Sequence, residues 1–531
     1  MIFTRFKNRT YQDGKCNIPN VITCKAEDGL AQQALQGFLV LYPNAVCVTD
    51  TNTECFIEFK NDTADKAKSE QYKLEISENK MTVYCQDERG GINGAATVAL
   101  LLCNEEIQTG EIVDYPDCAY RSFMIDMARG LPSMADIKNT ILSMALSKFN
   151  HLHLHLMDSK GICYKSNALS KLGCGVGGQF EIADIQEIIQ LCQILKITIV
   201  PEIEMPAHAK AIVKAYPELA CDTDTDCHWT VCPGVEATWV YYERLIQEVA
   251  SIFPDEYIHI GSDELEFADL PKLNQLCFWD SCEACKQLRE REGLADRQAQ
   301  FYYVVNRMYD IVKQTGKKMM MWNDQIDVTK DVPLDRDILV EFWRVAEPGR
   351  GPYENCSMAG LLEKGFRVIN ADYPHTYCDL EEYMTPEKLH DWNPTVRPNV
   401  PDEYKQQIIG GEACAWEFGN LKNYPFYAVT AAPAIMLFGD KVWDFKDRTY
   451  TDGDRMLMAA YLFGVTPKND ILSCIGSLIP PREANRYTYV DSVPAQLINR
   501  CIEELQTCEK PHYEHNAKAF IQQLHKIADA Q

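Results

Sequence analysis

The stretch IADIQEIIQLCQILKITIVPEIEM, Ile182–Met205, contains two periods. Its first half spaces apolar residues along one helical face, through Ile185, Ile189 and Cys192. From Ile197 the spacing collapses into a continuous β-rich run that ends on two carboxylates, Glu202 and Glu204. A strand that is apolar on both faces belongs in a parallel sheet covered by helices. The unit recurs after Tyr120. RSFMIDMA, HLHLHLMD, YIHIGSDE, KMMMWND, ILVEFW, FRVINADY and IIGGEACAW are further short strand-like runs, several of them separated by amphipathic segments such as MADIKNTILSMALSKF. Eight strands alternating with helices predict a closed (β/α)8 TIM barrel over residues 118–447, an α/β fold. An open doubly wound sheet is the competing arrangement, but no glycine-rich phosphate fingerprint accompanies it.

Polar residues gather at one end of these strands. Asp126, Arg129, Asp158, Glu202, Glu204, Asp263, Glu264, Trp322, Asp324, Trp343, Asp372, Trp416 and Glu417 all fall at or just after C-terminal strand ends. That is the face on which barrels carry active sites. So many carboxylates at a buried rim are costly to desolvate, and packing alone explains them poorly. Before the barrel, residues 1–117 predict a small α+β domain. DGLAQQALQGFLVLY reads as a helix, CFIEFK, YKLEIS and MTVYCQ as half-buried strands, and GGINGAATVALLLC as a glycine-opened loop leading into a helix. Residues 448–531 read as a C-terminal helical extension without a chemical motif.

The chain of 531 residues carries 52 Lys+Arg against 77 Asp+Glu, a net charge of −25. That balance argues against nucleic-acid and anionic-membrane partners and permits a neutral ligand. No apolar run reaches the ~20 residues of a membrane helix. The N-terminal MIFTRFKNRTYQDGK lacks the apolar core of a signal peptide. The 22 cysteines are irregularly spaced and read as reduced thiols, so a cytoplasmic protein is expected. A chain whose leader had been removed would instead be secreted.

HIGSDELEF, His259–Phe267, sets adjacent carboxylates, Asp263 and Glu264, at a strand end. Direct glycosidic displacement needs two carboxyls across the bond, ~5–5.5 Å apart for retention and ~6.5–9.5 Å for inversion. Neighbours in sequence share one side of a pocket, so one can supply the acid while the other orients something. On its own the dipeptide reads equally as two solvated loop acids.

HIGSDE resembles the H-x-G-x-D-E signature of family 20 glycoside hydrolases, the β-N-acetylhexosaminidases. FMIDMAR (Phe123–Arg129), KFNHLHLHLMDSKG (Lys148–Gly161), PEIEMPAH (Pro201–His208), MWND (Met321–Asp324), EFW (Glu341–Trp343) and TYCD (Thr376–Asp379) resemble further family segments in the same order. The small domain is similar too, so the resemblance covers about residues 1–445. It implies a retaining exo-enzyme with no cofactor and no metal, whose nucleophile is the substrate's own 2-acetamido oxygen. Glu264 would be the acid and base. Asp263 would hold the acetamido N–H and balance the oxazolinium intermediate. Arg129 would clamp ring hydroxyls, while Asp158 and His208 would form a buried pair behind Glu264. Trp322, Trp343 and Trp416 would wall the sugar. Tyr377 would donate to the acetamido oxygen, and Asp379 would bind a hydroxyl. The implied partner is a glycan or glycoconjugate with terminal β-linked N-acetylglucosamine or N-acetylgalactosamine; oligomeric state is left open.

The chain departs from the family where W-x-E is usual: Phe418 stands at the acid's place and Glu417 one residue early. That leaves the choice between the two sugars open. Ala207 replaces a usual glycine before His208, and Lys160 stands near a usual glutamine. Cys282-x-x-Cys285 alone could ligate zinc, but with no second such pair at finger spacing the thiols, including Cys221, Cys227, Cys232 and Cys277, read as structural. Two rivals remain. One is a metal-dependent barrel hydrolase using His153-x-His155, although these histidines read better as strand supports and sit on the second strand rather than the first. The other is a non-catalytic carbohydrate-binding barrel, against which the complete Asp263–Glu264 pair argues.

Overall fold

The structure is a computed structural model that describes residues 6–445 apart from 50–52, 63–67, 103–105, 225–227, 266–276, 346–354, 379–383, 385–388, 390–391, 396–399 and 417–430. The expected 448–531 extension, Asp379, Glu417 and Phe418 lie outside the described residues.

The small domain is a seven-stranded mixed sheet. Its strands are β1 (Asn8–Cys16), β2 (Thr23–Ala26), β3 (Val46–Cys47), β4 (Ile57–Asn61), β5 (Tyr72–Ile76), β6 (Met81–Cys85) and β7 (Ile107–Asp114), in the order β1-β7-β5-β6-β4-β2-β3. Helices α1 (Leu30–Leu41) and α2 (Glu88–Leu101) pack on each other and on the sheet. The expected loop at GGINGAA is instead part of α2. Asp87 caps that helix by accepting the Gly90 N–H at 2.7 Å. Its glycines serve close packing: a Cβ on Gly90 would lie 2.2 Å from the Gln71 carbonyl oxygen, and one on Gly94 2.6 Å from Val83. Strand β1, which the sequence did not announce, is exposed along nearly all its length and so carries no alternation to read.

All eight expected barrel strands form. They are β8 (Tyr120–Asp126), β9 (His151–Asp158), β11 (Thr198–Ile203), β12 (Tyr257–His259), β13 (Lys318–Trp322), β14 (Leu339–Phe342), β15 (Arg367–Asn370) and β16 (Ile408–Ala415); a short β10 (Gly161–Ile162) hairpins onto β9. Each barrel strand pairs in parallel with the next, and β16 pairs with β8, closing the sheet. Helices span Met134–Leu146 and Ile182–Ile194, as the periodicity predicts. The two-residue period sorts the side chains. Leu152, Leu154 and Leu156 join the shell beneath the helices, while His151, His153 and His155 take the other face. An apolar cluster of Tyr120, Val200, Tyr257, Met320, Leu339 and Ile369 lies apart from that shell. Met320 alternates there with Met319 and Met321, which belong to the shell. The seventeen described cysteines are free thiols, and no described helix is long and apolar enough to cross a membrane.

Buried charge joins the two domains. Arg121 of β8 is 1% exposed and forms an ion pair with Glu70 of the small domain. Its remaining donors reach the carbonyls of Lys148 at 2.8 Å and Cys118 at 2.7 Å. Lys148 Nζ donates to Asp114 of β7 at 2.9 Å, and Trp443 donates to the same carboxylate oxygen at 3.0 Å. Burial pushes the Glu70 carboxyl up, but Arg121 outweighs it and holds the group below its usual range. Glu70→Gln strands a buried guanidinium and should destabilise the protein by about 3–5 kcal/mol, read as a lowered urea midpoint at pH 7. A depressed carboxyl contributes fully above its unfolded value of about 4.3, and that contribution is lost as pH falls through the folded value. The gap between wild type and variant should therefore shrink below about pH 4.

Candidate active site

Strand β12 ends at His259, and the chain then turns sharply. Gly261, Ser262 and Glu264 have φ of 62°, 71° and 48°. His259 Nδ1 accepts the Gly261 N–H at 3.0 Å, and a Cβ on Gly261 would sit 1.9 Å from a Glu204 carboxylate oxygen. Only glycine fits that position. The turn cancels the strand alternation that would send neighbouring side chains to opposite faces. Both carboxylates instead approach His208 Nε2, with Asp263 Oδ2 at 3.5 Å and Glu264 Oε2 at 3.3 Å. The strained Glu264 backbone is held on both sides. Its N–H donates to Asp324 Oδ2 at 2.9 Å, and its carbonyl accepts from Trp229 Nε1 at 2.8 Å.

Asp158, at the end of β9, organises the cations. Its Oδ2 accepts from Arg129 Nη2 at 2.7 Å and from His208 Nδ1 at 2.8 Å. Asp126 holds Arg129 from behind, at 3.1 Å. Burial pulls the His208 imidazole down, but Asp263 and Asp158 outweigh it and lift the group well above its usual range. A protonated ring would carry Nδ1–H on Asp158 and Nε2–H facing the acid pair. Burial raises the Asp158 carboxyl, while Arg129 and His208 bring it well below the ordinary value. Burial raises Glu264 despite the opposing pull of His208, so it keeps its proton to higher pH than a solvated glutamate. Burial and the Asp263 charge raise Glu204 strongly, and push Asp324 up to about 7.

An aromatic wall runs from Arg129 to Asp324. The Arg129 guanidinium lies 5.3 Å from the Trp416 ring. Trp416 stands 5.9 Å from Trp322 and 6.2 Å from Tyr377, and Tyr377 stacks on Trp343 at 6.3 Å. Trp343 Nε1 donates to Asp324 Oδ1 at 3.0 Å. A backbone bridge to Cys414 of β16 fixes Tyr377 beside this wall. Thus Arg129, Asp158, His208, Asp263, Glu264, Trp322, Trp343, Tyr377 and Trp416 are brought together. Asp372 is turned to other partners, His375 and Trp392.

His153 and His155 are fully buried among carboxylates. His153 Nδ1 lies 2.8 Å from Glu412, and both rings approach Glu202, which also accepts from Trp322 Nε1 at 2.7 Å. They support the wall from within the barrel. The sets His155–Asp158–Glu204 and His208–Asp263–Glu264 are compact enough for a cation. Basic side chains already face both: Arg129 Nη2 sits on Asp158, and His208 Nε2 faces Asp263 and Glu264. Two contributors escaped the sequence reading. Glu204 was visible only as one strand-end acid among many. Trp229, whose ring lies 4.4 Å from His208, comes from an irregular loop without a periodic signal.

Residues 118–424 match the catalytic domain of glycosyl hydrolase family 20, and residues 7–115 match the family's domain 2. A β-hexosaminidase of Porphyromonas gingivalis is 26% identical over 418 residues, covering 72% of this chain and 52% of its own length. The chain thus spans about half of that relative. The mouse β-hexosaminidase subunit beta is 26% identical over 403 residues, covering 72% of this chain and 70% of its own. Among solved structures, the Vibrio harveyi exo-β-N-acetylglucosaminidase in complex with N-acetylglucosamine superposes with a TM-score of 0.72 at 22% identity, over 87% of this chain and 76% of that one. The Bacteroides fragilis β-N-acetylhexosaminidase gives 0.72 at 23% identity, over 87% and 95%.

The Asp158–His208 geometry is testable directly. Side-chain nitrogen NMR should find His208 doubly protonated through neutral pH. In Asp158→Asn the anion that favours the cation is gone, so the His208 titration should move to lower pH; an unmoved titration would contradict this account.

Proposed function

Because this chain belongs to glycosyl hydrolase family 20, we propose that it is a retaining exo-β-N-acetylhexosaminidase whose substrate supplies the nucleophile. The substrate is a glycan or glycoconjugate with a terminal, non-reducing β-linked N-acetylglucosamine or N-acetylgalactosamine. The carrying observation is that Asp263 and Glu264 both approach one atom, His208 Nε2, at 3.5 and 3.3 Å. Carboxyls gathered on one side of a pocket cannot flank a scissile bond as acid and nucleophile.

In this reading Glu264, whose carboxyl burial lifts above its ordinary value, protonates the glycosidic oxygen as the C1–O bond to the leaving group breaks. The acetamido carbonyl oxygen attacks C1 from the opposite face. Asp263 accepts the acetamido N–H and balances the positive oxazolinium; its Oδ1 is buried without a protein donor. Glu264, now anionic, takes a proton from water as the water attacks C1 and reopens the ring. Two inversions at C1 give net retention. Aligning the internal nucleophile can supply several kcal/mol, with about 7–11 as the limit. Tyr377 would donate to the acetamido oxygen. Trp322, Trp343 and Trp416 offer ring faces to the apolar faces of the sugar. Arg129, with 12% of its side chain exposed, would clamp ring hydroxyls. Asp379 would bind a further hydroxyl.

Aryl N-acetyl-β-glucosaminides and galactosaminides should be hydrolysed, with the β-anomer released first by proton NMR. Aryl glucosides with a free 2-hydroxyl should not turn over, and comparable rates on both would refute substrate assistance. A thiazoline mimic of the oxazolinium should inhibit competitively. Glu264→Gln should lower kcat/KM by about 10²–10⁴ on poor leaving groups, and by less on a dinitrophenyl glycoside that needs no proton. Asp263→Asn should cost about 10²–10³ in kcat with either leaving group. Since the acid acts protonated, its raised pKa should set the basic limb of kcat/KM above the ~4.3 of an ordinary glutamate.

A further inference from the structure

Four cysteines remote in sequence converge beside the active-site loops. Cys221 and Cys232 come from the long segment after β11, and Cys282 and Cys285 from the segment that opens the helix Glu283–Glu292. The sulfur of Cys232 lies 3.6 Å from that of Cys282 and 3.5 Å from that of Cys285, and Cys221 lies 4.0 Å from Cys285. All four sulfurs fall within 4.8 Å of one another. Each residue is buried, the most exposed being Cys221 at 3%.

We propose that these four thiolates hold one structural zinc ion. Thiolates bound at about 2.3 Å to a tetrahedral zinc stand about 3.8 Å apart, the spacing found here. A disulfide would need one pair at about 2.05 Å. Here Cys232 is instead nearly equidistant from two sulfurs, which is the signature of a shared centre. Tetrahedral sulfur coordination suits zinc or iron, and at such a site divalent zinc binds more tightly than ferrous iron. Four protein ligands with no exposed position describe a closed, structural centre rather than a catalytic one.

The location gives the ion a task. Trp279 Nε1 donates to the Val231 carbonyl at 2.9 Å, next to Cys232. Two residues further back is Trp229, which packs on His208 and donates to the Glu264 carbonyl. The zinc ties the two segments together and keeps Trp229 in place. It takes no part in bond making or breaking. The sequence alone favoured unligated thiols because ten residues intervene between Cys221 and Cys232 in an irregular loop, so only half of the site has a recognisable spacing.

The test uses the whole enzyme, purified without chelator or added metal, with metal content read by native mass spectrometry and elemental analysis. One zinc per chain is expected. The double substitution Cys282→Ser/Cys285→Ser should lose the zinc and lower the melting temperature, whereas Cys277→Ser, at another buried cysteine, should retain it. Cobalt exchanged into the wild-type protein should show the intense visible bands of a tetrahedral tetrathiolate, a readout independent of activity and of variant folding. A metal-free protein with four titratable thiols, disulfides detected by a reduced intact mass, iron in place of zinc, or zinc that survives the double substitution would each overturn the assignment.

Discussion

The Asp158 carboxylate is the contact on which the site turns. It binds Arg129 and His208 through one oxygen, and His155 Nε2 lies 3.6 Å from the same atom. Around this anion the barrel mouth crowds Glu204, Asp263, Glu264 and Asp324. Two like charges 4 Å apart cost about 4 kcal/mol even at an effective dielectric near 20. The site relieves that repulsion in two ways. Arg129 and His208 supply positive charge, while burial lets Glu204 and Asp324 keep protons. A carboxyl kept neutral by its surroundings is what a general acid requires. The lift that burial gives Glu264 suits the acid role proposed for it.

Support for this arrangement reaches into the barrel. Glu202 accepts from Trp322, approaches three histidines, and is held well below the usual carboxyl range despite full burial. The lumen layer beneath the aromatic wall is thus polar and fully enclosed. Partners fixed before substrate arrives do not have to reorient as charge develops, which is how preorganised groups outperform water.

Much of this was legible in the chain. Eight short strands, each followed by a polar or aromatic residue at its C-terminal end, dictated the barrel and the face that carries chemistry. The acid pair, Asp158 and Arg129 were legible because strand ends fix where side chains converge, and His208 through the resemblance of PEIEMPAH to the family segment. What escaped comes from elsewhere. Trp229 and the cysteine quartet sit in loops, where position follows from tertiary contacts rather than from any period. The glycines of α2 looked like loop residues because a helix packed tightly on a sheet also needs residues without a Cβ. Strand β1 lies exposed at a sheet edge, so neither face had to be apolar.

The charged junction bears on how such proteins can be rearranged. Arg121 and Lys148 belong to the barrel, yet their counterions, Glu70 and Asp114, belong to the small domain. A barrel cut free at residue 117 would keep two interior cations and lose both anions. The barrel is therefore not a cassette that gene fusion or domain grafting could move alone. The smallest transferable unit is the pair of domains, and the modest sheet travels with the barrel as an obligatory electrostatic complement.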